Sequence, residues 1–132
     1  MSQENVGVAE RAIAAINARD VNAYFACCTE NLRLETPLAP VGATYDGREA
    51  IRRFFADLAD SAPDFHLTVD RAEQVGANQV IVFLQVSAHG RASGIAIGRA
   101  TTNVYDFESG RIARVRIFFD REEALEAVGL KE

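Results

Sequence analysis

The spacing of the apolar residues changes at Pro63, and this change constrains the fold more than any other feature of the sequence. Before Pro63, apolar residues recur every three or four positions, as on one face of a helix; the clearest set is Ile51, Phe54, Phe55 and Leu58. After Pro63, four stretches alternate apolar and polar residues as β-strands do, separated by short turns such as Ser109-Gly110. Turns this short join antiparallel neighbours, because parallel strands need long crossover connections. The sequence therefore predicts an α+β domain with helices in its first half and an antiparallel sheet in its second.

The remaining elements follow from the same rules of spacing and capping. Two helices come first, the second of them capped by Asp20, and the stretch NLRLETP after them alternates as a strand. Residues 37–47 are predicted as a loop, and residues 121–130 as a short helix that stops at Gly129. The adjacent Cys27 and Cys28 fall in the second helix and are predicted as small buried hydrophobes.

Asp120 closes the stretch GRIARVRIFFD and has two interpretations. It precedes the last helix and lies three residues before Glu123, which is the spacing of a capping box. It also follows two phenylalanines, so its carboxylate could act as a general base at the mouth of an apolar pocket. The cap is the favoured prediction, because it needs nothing beyond the local sequence.

Composition argues against several classes of partner. A chain of 132 residues, 48% of them hydrophobic, can bury one core, so residues 1–132 are predicted as a single domain. A net charge of −5 disfavours nucleic acid, and no apolar run approaches the roughly 18–20 residues of a membrane span. The first residues lack the pattern of a signal peptide, so a cytoplasmic location is expected. Neither a metal nor a cofactor is predicted, since the sequence has no ligand-spaced cluster and no phosphate-binding glycine motif.

Three segments resemble the NTF2-like superfamily and, within it, the SnoaL-like proteins. They are AERAIAAINARDVNAYFACCTENLRLETP, YDGREAIRRFF and VYDFESGRIARVRIFFD. The resemblance covers essentially the whole chain and implies a cystatin-like cone, in which a curved antiparallel sheet wraps around three N-terminal helices and a short C-terminal helix follows. It also implies an apolar cavity at the open end. Members include ketosteroid isomerases, limonene-epoxide hydrolases, polyketide cyclases and proteins without catalysis, so the resemblance alone does not specify a reaction.

The acids and the tyrosine that those enzymes use are absent from the positions that the resemblance assigns to them. The positions are Ala12, Thr36 and Thr102 for the isomerases, Asn103 and Ile117 for the cyclases, and Gln85, Ser87 and Ile117 for the epoxide hydrolases. Other ionisable residues must therefore supply any acid–base chemistry. Strand alternation sends Glu35 and His66 away from the apolar face, and His89 falls near a loop tip. An inward-facing Glu35, His66 or Asp106 would restore the enzyme hypothesis.

Two functions from different classes follow. The favoured one is a binding module that holds a small hydrophobic molecule in the conical cavity. Its predicted ligand-binding residues are Leu34, Thr36, Phe54, Phe55, Leu84, Thr102, Val104, Val115, Ile117 and Phe119. The alternative is an isomerase, cyclase or hydrolase acting on a hydrophobic carbonyl or epoxide compound, which would need a carboxylate or histidine inside the cavity. A homodimer through the outer sheet face is also predicted, because Arg114, Arg116 and Phe118 need cover there.

Overall fold

The change of period at Pro63 separates the helical layer from most of the sheet. The computed structural model describes residues 2–36, 44–89 and 96–129. Its helices are α1 Ser2–Ala18, α2 Val21–Ala26, α3 Gly47–Ser61 and α4 Arg121–Ala127. Its strands are β1 Cys28–Glu35, β2 Thr44–Asp46, β3 His66–Val75, β4 Gln79–His89, β5 Ala96–Glu108 and β6 Arg111–Phe118. The predicted α+β class, three N-terminal helices and short last helix are confirmed.

The six described strands form one mixed sheet in the order β2-β1-β6-β5-β4-β3. Strands β3 to β6 are antiparallel neighbours, as their short turns predict. The prediction of an antiparallel sheet throughout is wrong at β1, which pairs in parallel with β6 and sets Leu34 opposite Val115. The short β2, predicted as loop, pairs antiparallel with the other edge of β1 and sets Tyr45 opposite Leu34.

In the segment Asn17–Asp20, two side chains bind the end of α1 to the start of β3, and a third caps α2. The Asn17 amide donates to the Leu67 carbonyl and accepts from the Leu67 N–H, at 2.9 and 2.8 Å. Arg19 adopts φ 59°, a left-handed conformation that ends the helix, and its guanidinium donates to the carbonyls of Pro63 and Phe65. The Asp20 carboxylate accepts from the Ala23 N–H and caps α2, as predicted.

Apolar residues are buried on both faces of the sheet. The larger cluster lies between the inner face and α1, α2 and α3. The smaller cluster lies under α4 on the outer face, where Ile81 and Val104 pack with Ala124 and Leu125. Asp120 holds α4 over this cluster, because its carboxylate accepts from the Glu122 N–H at 2.9 Å; the predicted cap is confirmed.

The two cysteines are buried, as predicted, but they lie where α2 ends and not within the helix. Cys27 forms the C-cap of α2, and Cys28 is the first residue of β1, so the prediction of a helical Cys28 is wrong. Their thiols point back to the helix, and the Cys28 Sγ lies 3.2 Å from the Tyr24 carbonyl. The backbone leaves the helix here because the Cys27 carbonyl accepts from Ile112 of β6.

Candidate functional site

A small cavity lies between the helices and the inner face of the sheet. Its volume is ≈20 Å³, which is room for about one water molecule. The helices, β1, β3 and β4 supply a mostly apolar wall, and β5 and β6 supply the rest. The lining residues are Ile16, Tyr24, Leu34, Phe54, Phe65, Leu67, Val86, Thr101, Asn103, Tyr105, Val115 and Ile117.

Three of the polar residues of this cavity lie along one strand. Thr101, Asn103 and Tyr105 occupy alternate positions of β5, so their side chains share its inner face. The Asn103 Nδ2 donates to the Tyr105 hydroxyl at 3.1 Å. The Asn103 Oδ1 and the Thr101 Oγ1 are buried without a hydrogen-bond partner in the described part of the chain. Two unsatisfied polar atoms therefore belong to residues that line a largely apolar space.

The two tyrosines of the cavity stay protonated far above neutral pH. Burial raises the pKa of Tyr24 well above its ordinary value, and the nearby Cys28 and Tyr105 raise it further. Burial also raises the pKa of Tyr105, against the opposing hydrogen bond from Asn103. These hydroxyls can donate or accept hydrogen bonds, but because they stay protonated they are not available as general bases, and their high pKa makes them weak acids.

The carboxylates and the histidine that would restore acid–base chemistry lie elsewhere. Glu35 bonds Arg114 on the outer sheet face, with its Oε2 3.0 Å from the Arg114 Nε. Asp106 bonds Arg116 on the same face, and it also accepts from the Gln79 amide at 2.8 Å.

Among the described lining residues there is no Asp, Glu or His. The backbone of β3 explains the position of His66: this residue is exposed, whereas Phe65 and Leu67 on either side of it are buried. The internal segments 37–43 and 90–95, outside the described residues, contain no Asp, Glu or His in sequence. The side chain of His89 also lies outside the described atoms.

The residues predicted to bind a ligand fall into four groups. Leu34, Phe54, Val115 and Ile117 line the cavity, and Phe55 and Leu84 belong to the surrounding core cluster. Thr36 and Phe119 lie at a separate hollow of ≈470 Å³, beside Asp120.

Thr102 and Val104 are on the opposite face of β5, so their predicted place in the cavity is corrected. Val104 packs under α4, and alternation sends Thr102 the same way. Thr101 and Asn103 take the inward positions instead. Sequence reasoning missed Thr101 as a site residue, because both faces of this part of β5 are buried and the choice of the inward face is ambiguous.

The positions that the resemblance assigns to the catalytic residues of the family's enzymes also divide between the cavity and other parts of the fold. Asn103 and Ile117, the positions to which the resemblance assigns the acid–base pair of the cyclases, line the cavity. Gln85 and Ser87 are exposed on the outer side of β4, whereas Val86 between them lines the cavity. Ala12 is buried in the core cluster against the sheet.

A larger open groove of ≈620 Å³ lies outside α1 and α2, next to the turn between β5 and β6. Exposed alanines line much of it, and Arg11 lies beside Cys27 at its floor. Burial raises the pKa of the Cys27 thiol, against the lowering effect of Arg11. A protonated thiol is a weak nucleophile, so this groove lacks an activated reactive group.

Within the described ranges no three His, Cys, Asp or Glu side chains come together as a metal site. The same residues include no helix that is long and apolar enough to cross a membrane.

The sequence matches the family model of the SnoaL-like domain over residues 9–115. The chain therefore belongs to the SnoaL-like family. No curated protein matches the sequence significantly.

Solved structures share the fold along nearly the full chain. An uncharacterised cystatin-fold protein from Novosphingobium aromaticivorans is 26% identical, with a TM-score of 0.75, over 89% of this chain and 98% of that one. An NTF2-like protein of unknown function from Burkholderia pseudomallei is 18% identical, with a TM-score of 0.79, over 96% and 98% of the two chains. A Mycobacterium tuberculosis protein in complex with estradiol-17beta-hemisuccinate is 14% identical, with a TM-score of 0.75, over 89% and 95%. The NTF2-like, cystatin-like fold is thus shown.

Proposed function

We propose that this chain binds a small hydrophobic molecule in the cavity between its helices and its sheet, and that it does so without catalysing a reaction. The observation that carries this proposal is the pair of buried polar atoms, Thr101 Oγ1 and Asn103 Oδ1, that face the cavity without a partner. Leaving such groups unsatisfied costs about 1–3 kcal/mol each, and a ligand hydroxyl would remove part of that cost. The ligand is therefore an apolar molecule with a hydrogen-bond donor at its inner end.

Two further facts support binding. The walls around Thr101 and Asn103 are aliphatic and aromatic, which suits the body of a hydrophobic ligand. The M. tuberculosis neighbour, which has the same fold, is in complex with estradiol-17beta-hemisuccinate.

A cavity of ≈20 Å³ is too small for a ring, so ligand entry requires lining side chains to move. Phe54 and Phe65 are the two phenylalanines of the lining, and both lie outside the sheet. We expect their resonances to shift most on binding.

The absence of acid–base residues from the described lining favours binding over catalysis. An enzyme of the isomerase, cyclase or hydrolase type would move protons with a carboxylate or a histidine of suitable pKa. Glu35 and Asp106 are instead held by Arg114 and Arg116 on the outer face. The enzyme alternative would return if hydrophobic ketones or epoxides were turned over by the wild-type protein but not after His89→Ala.

The test compares two compounds that differ in one hydroxyl group, para-propylphenol and propylbenzene. We expect the wild-type protein to bind the phenol about tenfold more tightly, as measured by calorimetry or NMR titration. The Asn103→Leu variant should reduce this preference, because only the Thr101 oxygen then remains as an unsatisfied acceptor. Asn22→Leu is the control, since Asn22 is exposed on α2. Failure of both compounds to bind the wild-type protein, or an equal affinity for the two, would contradict the proposal.

We further propose that residues 1–132 form a single cytoplasmic domain and that two copies associate through the outer sheet face. Arg114 and Arg33 remain 43% and 52% exposed there, around the half-buried Glu35. Within one chain, Phe118 already packs against the cluster under α4, and Arg116 already bonds Asp106. The exposed charges of Arg33 and Arg114 must therefore supply the contact between the two copies. Sedimentation should then show a dimer that weakens with added salt and with Arg114→Glu, but not with Arg53→Glu on α3. A monomer at all micromolar concentrations would contradict the dimer.

A further inference from the structure

Arg99 continues the row of inward-facing residues on β5 beyond the end of the cavity. It lies two positions before Thr101, so alternation places its side chain on the same face as Thr101 and Asn103. It is opposite Val86 of β4, which lines the cavity. Unlike Thr101, Arg99 is exposed. It therefore belongs to the open rim of the same site.

An aromatic ring holds the Arg99 side chain in place. The guanidinium carbon lies 3.6 Å from the centre of the Phe119 ring, a separation that fits a planar group stacked on an aromatic face. Phe119 follows Ile117 by two positions and lines the neighbouring hollow of ≈470 Å³, which meets the cavity at Ile117, a lining residue of both. Stacking uses the face of the guanidinium and leaves its in-plane N–H groups available for hydrogen bonds.

Those donors have no carboxylate partner in the described structure. Ion pairs there involve Arg33, Arg52, Arg71, Arg114 and Arg116, but not Arg99. The nearest acid in sequence to Phe119 is Asp120, whose carboxylate accepts the Glu122 N–H at the start of α4. A preorganised planar cation at the rim of an apolar cavity is suited to binding a carboxylate in a bidentate manner.

We propose that Arg99 is a specificity-determining residue that selects ligands carrying a carboxylate at their outer end. This inference rests on the proposed function, since it assigns the other end of the same ligand. Asn103 lies four positions after Arg99, or about 13 Å along the strand at roughly 3.3 Å per residue. The ligand class is thus a hydrophobic acid with a hydroxyl group at the end remote from its carboxylate.

The test adds one compound to the pair already described. Para-hydroxyphenylpropanoate has the shape of para-propylphenol, with a carboxylate in place of the terminal methyl group. We expect the wild-type protein to bind this acid about tenfold more tightly than the phenol at low salt, a typical gain for a charge-assisted hydrogen bond. Arg99→Gln should remove that gain and leave the affinity for para-propylphenol unchanged. Arg99→Lys should keep only part of it, because an ammonium group cannot form the planar pair.

The matched control is Arg121→Gln. Arg121 also stacks on a phenylalanine, with its guanidinium carbon 4.6 Å from the Phe83 ring centre, but it lies on α4 over the outer face. Its replacement should change neither affinity. If the phenol binds and the acid has no advantage, or if Arg99→Gln weakens both ligands equally, the role of Arg99 is wrong while the proposed function stands. If none of these compounds binds, both proposals fall.

Discussion

At the scale of single residues, β5 determines what this cavity can recognise. The stretch Thr101–Tyr105 reads TTNVY, and polar and apolar residues do not alternate cleanly within it. Sequence reasoning selected Thr102 and Val104 as inward because valine suits an apolar cavity. The position of α4 gives the opposite answer, since it provides a second buried environment that Val104 fills on the outer face. Side-chain alternation alone could not show which residues of β5 face inward, because it identifies the inner face only where the other face is exposed to solvent.

Thr101 should make the free protein less stable than a version without its hydroxyl. Thr101→Val keeps the shape and the strand preference of the residue but removes a buried oxygen that has no described partner. We expect the free energy of unfolding without ligand to rise by up to about 1 kcal/mol, measured by urea denaturation. The affinity for para-propylphenol should fall at the same time.

Thr68→Val provides the control for this substitution. Thr68 lies on β3 and is exposed, so its hydroxyl is already hydrated and its loss should change the stability by less than about 0.5 kcal/mol. A loss of more than 1 kcal/mol in Thr101→Val would show that its hydroxyl is satisfied in the folded protein.

At the scale of elements, the motif NARD, residues Asn17–Asp20, connects α1 to the sheet and to α2. Asn17 pairs with both backbone groups of Leu67, and β3 is an edge strand of the sheet. Its amide thus takes the place of a neighbouring strand and closes an otherwise open edge. The parallel pairing of β1 with β6 was not predictable in the same way, since no turn length or motif links two strands that are distant in sequence.

Removal of the Asn17 amide should loosen α1 from β3. Asn17→Ala leaves the Leu67 N–H and carbonyl without the partners now at 2.8 and 2.9 Å, so we expect a loss of about 2 kcal/mol in the free energy of unfolding. Hydrogen exchange at the Leu67 amide should become faster.

Asn5→Ala is the matched control. Asn5 also lies on α1, and both substitutions replace asparagine by alanine, which has the higher helix propensity. Asn5 makes an exposed hydrogen bond of 3.3 Å, and its loss should cost less than about 0.5 kcal/mol. Equal effects of the two substitutions would mean that Asn17 does not join α1 to the sheet.

At the scale of the whole molecule, the charges lie on the outside and the interior holds only neutral titratable groups in its described part. Two of these groups are the thiols of Cys27 and Cys28, which the sequence predicts to be buried. The extent of their burial depends on tertiary packing, which the local sequence does not specify. Burial raises the pKa of Cys28 from 9.0 to about 12, with a further contribution from Cys27. Tyr24 and Tyr105 are raised above 10.0 in the same direction.

Global stability should therefore fall at alkaline pH, beginning before the tyrosines titrate. Below pH 9 the Cys28 thiol is protonated in both states and adds no pH dependence. Above pH 9 the unfolded chain releases this proton while the folded chain keeps it, so the free energy of unfolding falls by up to about 1.4 kcal/mol per pH unit until about pH 12. Tyr24 and Tyr105 add to the slope above pH 10. Urea denaturation from pH 7 to 10.5 measures this curve, and Cys28→Ala should make it shallower between pH 9 and 10, where only the raised pKa of Cys27 still contributes. Superimposable slopes for the wild-type protein and Cys28→Ala would mean that the Cys28 thiol ionises as readily in the folded state as in the unfolded chain.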